Sequence, residues 1–221
     1  MKLRELLIST AMISLTFVLA EAVTPTLPSP LIAEDEILGS AYYDTLSILE
    51  SSNECSDFFG GSTVSVEAFN SLVSRVRKGY FAPSLGIQMS GETVDVFNIK
   101  TKSRYRFFDK VVINTNGPFY RKRFSRSDAT VPGIGKFGPN TKEVRVLMFL
   151  HELGHVVQGE GGEWRLPNDG NDDKQSRSNT KKIESVCGDQ IKNLSKVASA
   201  VNSGGRQKKP EELVTPVNTT P

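Results

Sequence analysis

Asn140-Thr141-Lys142-Glu143-Val144-Arg145-Val146-Leu147-Met148-Phe149-Leu150-His151-Glu152-Leu153-Gly154-His155 is the stretch on which the architecture of this chain turns. Asn140 is a good helix N-cap residue, and Glu143 three positions later gives a capping-box arrangement. Val146, Leu147, Leu150, Leu153, Val156 and Val157 recur at helical spacing. The predicted element is a buried helix with His151 and His155 one above the other on a single face. Two imidazole nitrogens so placed can point at one ion about 2 Å from each. Glu152 lies about 100° around the helix from His151. Its carboxylate therefore misses the ion and reaches a water held there. The chain contains only two histidines. Both fall in this pattern, so the spacing is not a by-product of a His-rich composition.

Working outward, residues 131–138 form a Gly-rich loop before the helix. It lacks the GK[ST] ending of a P-loop and the GxGxxG spacing of a dinucleotide site, and it reads as a connection. From 87 to 120 the pattern is that of strands, with β-branched runs at 94–99 and 111–113 and turns at Gly91 and Asn116-Gly117. Further upstream, Tyr42, Leu46 and Leu49 mark a helix over 41–49. Ser65 is expected to cap a second helix reaching Arg77, with Val66, Phe69, Leu72, Val73 and Val76 on one stripe. A last helix is expected to start near Asn179-Thr180 and to run through Ile183, Val186, Ile191 and Leu194. The fold class is α+β: a small mixed sheet packed on the site helix, with N- and C-terminal helices.

The ends read differently from the middle. Lys2 and Arg4, an apolar run over 6–20 and Ala20-Glu21-Ala22 make up the pattern of a signal peptide over residues 1–22. The run is shorter than the ~20 residues that span a bilayer, so no membrane association is expected after cleavage. Residues 23–37 read as a Pro-rich linker, 38–198 as the folded domain and 199–221 as a disordered tail. The expected location is periplasmic or secreted. With 27 basic against 25 acidic residues the formal charge is +2, too balanced to call for a nucleic acid. Cys55 and Cys187 are the only cysteines. In an oxidising compartment they form one disulfide, or else they are two buried thiols.

The HELGH segment over 151–155 resembles the zincin superfamily of zinc metallopeptidases. The resemblance covers the helix and, more loosely, the sheet before it, but not the N-terminal third. The segment from His151 to Cys187 also looks like exported bacterial HExxH proteins. The resemblance implies a zincin-like fold, Zn2+ as cofactor, His151 and His155 as ligands and Glu152 as general base. It further implies a peptide or protein substrate bound along an edge strand, for which residues 111–115 are the expected candidate. The chain departs from the metzincin pattern, because Gln158 and Gly161 stand where its glycine and third histidine would be. A carboxylate must then be the third ligand. Asp169, in a turn after the site helix, resembles the aspzincin arrangement. Glu184, on the last helix, resembles the gluzincin one. Glu160, Glu163, Asp172 and Asp173 are further candidates.

Peptide hydrolysis also needs a donor for the developing oxyanion. Tyr120 is the expected one, with Tyr105 and Arg121 as alternatives. The competing reading is a zinc-binding or protein-interaction module that keeps the fold without turnover. Retention of Glu152, which a purely structural zinc site does not require, speaks for the enzyme.

Overall fold

In the computed structural model, residues 29–82, 86–124, 129–170 and 172–204 are described. Asp35 sets the first corner of the fold. Its carboxylate accepts a hydrogen bond from the Leu38 amide at 2.9 Å and so caps α2 (Glu36–Glu50), which follows the one-turn α1 (Leu31–Glu34). The same carboxylate accepts from the Tyr120 hydroxyl at 3.0 Å and pairs with the Lys78 ammonium. Residues 31–37 fall within the stretch read as a linker. They are folded here because Ile32 and Leu38 reach the core. The signal-peptide stretch and the start of the linker lie outside the described residues.

Asn53 then caps α3 (Glu54–Phe58) with a reciprocal Asn53–Ser56 capping box. The next helix, α4 (Ser62–Val73), stops well short of Arg77. Val76 and Arg77 belong instead to β1 (Val76–Gly79), which pairs in parallel with β3 (Ser103–Asn114). A stripe of apolar residues at helical spacing ran on past the helix because Val76 suits a strand equally well. β2 (Ile87–Asn98) runs antiparallel to β3 on its other side, with Ile87 opposite Ile113 and Val96 opposite Tyr105. The mixed sheet has the order β1-β3-β2. Residues 111–115 therefore cannot be a substrate-binding edge, since β3 is the central strand with both sides paired over 111–114. Among the described residues, the strand with an open side facing the site is β2.

The site helix is α5 (Lys142–Val156). Its cap is Thr141, not Asn140: the Thr141 hydroxyl accepts from the Val144 amide at 3.2 Å. Asn140 sits one residue earlier in the left-handed region, φ 58°, a conformation asparagine tolerates well. Val146, Leu147, Phe149, Leu150 and Leu153 are buried on α5. Phe149 meets Phe69 and Phe119 edge to face, with centroids 5.4 and 5.5 Å away. This wedge anchors the helix between α4 and the loop that follows β3.

The last helix, α6 (Asp173–Gly204), begins earlier than Asn179. The Asp172 carboxylate accepts from the amides of Lys174 and Gln175 at 2.8 and 3.1 Å and starts it there. It also continues through 199–204, which the sequence assigned to the tail. Ile183, Cys187 and Ile191 are its buried stripe. Cys187 forms a disulfide with Cys55 of α3, across a sequence separation of 132. That bond fits an oxidising compartment. No helix of the described residues is long and apolar enough to cross a membrane.

A crosslink closing so long a loop constrains the unfolded chain strongly, with about 2–5 kcal/mol expected from it. At roughly 2–4 °C per kcal/mol for a domain of this size, reduction should lower Tm by about 5–20 °C. The double variant Cys55→Ser/Cys187→Ser should melt at the reduced value with or without reductant. Identical melts for oxidised and reduced wild type would show that the crosslink carries no stability.

Candidate metal centre

His151 and His155 lie on α5 with ring centroids 5.0 Å apart. Their Nε2 atoms face each other at 3.2 Å. Two neutral imidazoles meeting in this way have at most one proton between two lone pairs, so the arrangement asks for a cation or a hydrogen-bonding bridge. The Asp169 carboxylate closes the triangle, with Oδ2 3.0 Å from His151 Nε2 and Oδ1 3.5 Å from His155 Nε2. Ligand atoms of the three residues all lie within 4.8 Å of one another, and the group could hold a metal ion.

The backbone after α5 explains how Asp169 arrives. Val157 and Gln158 run beside β3, and the Gln158 amide donates to the Arg104 carbonyl at 2.9 Å. The chain then turns back, with the Arg165 amide on the Val157 carbonyl and the Leu166 amide on the Gly154 carbonyl, both at 2.9 Å. Gly154 has to be glycine for this. A Cβ there would lie 2.5 Å from Leu166 Cγ and Cδ1, inside any tolerable contact. From α6, Asn179 donates to the Pro167 carbonyl at 2.9 Å and holds the far side of the loop. Asp169 is thus suspended between a bond to α5 and a bond to α6.

Each histidine is steadied differently. His151 Nδ1 meets the Thr180 hydroxyl of α6 at 3.1 Å. A partner of this kind fixes ring orientation and tautomer in a metal-ligating histidine. His155 Nδ1 is buried with no hydrogen-bond partner among the described residues. Its residue is held through the backbone instead, because Arg106 Nε donates to the His155 carbonyl at 2.9 Å.

The two carboxylates beside the triad differ sharply. Burial pushes the Asp169 carboxyl up, but hydrogen bonds from His151 and His155 outweigh it and hold it well below the usual carboxylate range. Glu152 shifts the other way. Burial raises its carboxyl well above that range, and the nearby Asp169 charge adds to the rise. Glu152 also lines the cleft in front of the triad, a depression of about 1280 Å³ that Gly86, Ile87 and Met148 help to wall.

The other candidates fall elsewhere. Glu184 lines the same cleft, but its Oε1 accepts from the Lys136 amide at 2.5 Å. Residues 133–136 of the loop before α5 thus form part of the cleft wall as well as a connection. Gly135, at φ +57°, leaves room for the Glu184 carboxylate, where a Cβ would collide. Asp172 is engaged at the start of α6, and Glu160 and Glu163 are exposed on the return loop. Tyr120 is not in the cleft: its hydroxyl is bound to Asp35, and burial, with that carboxylate beside it, raises its pKa. Tyr105 points to the opposite face of the sheet, donating to Glu67 at 3.0 Å, its pKa pushed up to about 12 by burial. Arg121 Nε donates to the Thr115 carbonyl. Thr180, Gly154 and Arg106 are the site residues that sequence reasoning passed over. Only Gly154, inside the motif, carried a local signal.

The chain matches no protein-family model, no curated protein and no solved structure.

Competition with a chromophoric chelator, with zinc as the probe metal, should rank the variants if the three residues hold an ion. Asp169→Ala is expected to weaken binding more than about 100-fold, beyond the ~10–100-fold typical of outer partners. Thr180→Val should fall within that lower range, and Glu184→Ala within a few-fold of wild type. Zinc lost in Glu184→Ala and kept in Asp169→Ala would overturn this ligand set. Gly154→Ala should cost about 1–3 kcal/mol by overpacking and weaken zinc as well, through displacement of Leu166 and the loop that bears Asp169. Unchanged zinc affinity in a folded Gly154→Ala protein would remove the link between that contact and the site.

Proposed function

We propose that the chain is an exported zinc-dependent peptidase, with His151, His155 and Asp169 as ligands and Glu152 as general base. One observation carries the reading: two histidine nitrogens and a carboxylate converge at the wall of an open cleft, with a second, protonatable carboxylate beside them. Ligand atoms ~2.0–2.1 Å from a tetrahedral zinc stand roughly 3.3 Å apart. The two Nε2 atoms are 3.2 Å apart, as that ion requires, and one ligand atom from each of the three residues falls within 4.8 Å of the others, so the donor set is compatible with it. Three protein ligands on an open cleft are the pattern of catalytic zinc, whereas structural sites are closed by four. This favours turnover over a merely zinc-binding module.

When bound, zinc would polarise the scissile carbonyl and acidify the attacking water. Glu152 takes a proton from that water as it attacks and returns it to the leaving amine. A carboxyl whose affinity for protons is raised by burial suits such a two-way transfer near neutral pH. Substrate position follows from β2. Five consecutive residues, Gly86 to Ser90, line the cleft. In the order β1-β3-β2, the side of β2 away from β3 has no strand partner among the described residues. An extended peptide pairing with that edge runs past the triad as an added strand.

The test is a peptide library digested by zinc-loaded protein, read by mass spectrometry. Glu152→Gln should lower kcat by about 10²–10⁴-fold with zinc content unchanged, and chelation should abolish wild-type cleavage until zinc is returned. Zinc-loaded wild type that cleaves no better than Glu152→Gln would refute the peptidase and leave a zinc-binding module.

A further inference from the structure

Arg106 is the group in the cleft that this chemistry leaves unused. It projects from β3 into the depression that contains His151, Glu152 and His155. Three contacts orient it. Nε donates to the His155 carbonyl at 2.9 Å, and the guanidinium carbon lies 4.1 Å from the Trp164 ring centroid and 5.3 Å from that of Phe108. These contacts use one of five N–H donors and the flat face of the group. The four terminal N–H donors have no hydrogen-bond partner among the described residues. Asp95, the cross-strand neighbour of Arg106, pairs with Arg104 at 3.6 Å.

The bond to His155 accounts for Nε, since a cation near a helix C-terminus is favourable there. It leaves the terminal fork unexplained. Its terminal nitrogens are not among the buried unpartnered atoms, so the fork faces the open cleft, stacked on Trp164 and with no ion pair among the described residues. Lys136, Arg177 and Lys181 also line the cleft, but they are exposed and solvated. Arg106 alone among these cations is fixed in place beside the ligand-bearing helix.

We propose that Arg106 determines specificity by binding a carboxylate of the substrate through its terminal fork. Arginine suits this task because two parallel N–H groups match the two oxygens of a carboxylate. That the carboxylate belongs to a peptide rests on the peptidase reading above. It comes from a C-terminal carboxyl group or from an acidic side chain. The geometry supplies its own reporter, because Trp164, stacked on Arg106, is the only tryptophan in the chain.

Zinc-loaded Glu152→Gln protein, slow enough for binding to be read before turnover, would be titrated with three matched peptides while Trp164 fluorescence is followed. One has a free C-terminal carboxyl, one is amidated, and one is amidated but carries an internal glutamate. At least one acid-bearing peptide should bind tenfold or more tightly than the neutral amide. Which one it is names the source of the carboxylate. Adding Arg106→Gln, which keeps a donor for the His155 carbonyl, should abolish that preference, and Arg106→Lys should restore it only in part. Equal binding of all three peptides, or none at all, would overturn the proposal. So would a preference that survives Arg106→Gln, or a loss that is the same for every peptide, which would make Arg106 a support for His155 only. Absence of cleavage by wild type beside an intact carboxylate preference would refute the peptidase while leaving Arg106 its role.

Discussion

The seat of Leu166 on Gly154 is the contact on which the candidate centre depends. A helix can place two imidazoles on one face by spacing alone, but it cannot supply a third donor from the same turn without crowding. The third donor has to come from chain that leaves the helix and returns. Here the return is tight: Leu166 packs where a side chain at 154 would otherwise be, and its amide bonds to the helix. Asp169 follows three residues later, within reach of both Nε2 atoms. Loosening the contact by the width of one methyl group would move the loop by an appreciable part of a ligand–metal bond length.

The helix that closes the site from behind has two jobs that reinforce each other. Through Thr180 and Asn179, α6 orients His151 and holds the loop at Pro167. Through Cys187, further along the same buried stripe, it is bonded to α3. The orienting residues therefore sit on an element tied covalently to the N-terminal helices. Preorganised ligands of this kind lose less freedom on taking up an ion than a flexible set would.

The parts of this structure that were readable in the sequence are those governed by local rules. The i,i+4 pair of histidines, the buried helix and the α+β order follow from spacing within a few turns. What was unreadable depends on partners distant in the chain. Val76 looked helical until β3 offered it a parallel neighbour. The run at 111–115 looked like an edge strand, but its β-branched character reflects burial at the centre of the sheet. The helix cap slipped from Asn140 to Thr141 because both are good caps and only backbone geometry chooses between them. Asp169 and Glu184 could not be separated by sequence, as both lie near the cleft. What distinguishes them is that the 131–138 loop engages Glu184 through the Lys136 amide, a contact 48 positions apart.

The opposed behaviour of Asp169 and Glu152 bears on their division of labour. Two carboxylates share one small volume, and their surroundings push their proton affinities apart: Asp169 is held ionised by two histidines, and Glu152 is held towards its neutral form by burial and by Asp169 itself. Such pairs mark which group serves as a fixed charge and which exchanges protons. A bound cation would draw both downward, but Asp169, in contact with it, more than Glu152. On the proposed function, which of the two would ligate an ion and which would exchange protons is set by their surroundings before any ion or substrate arrives.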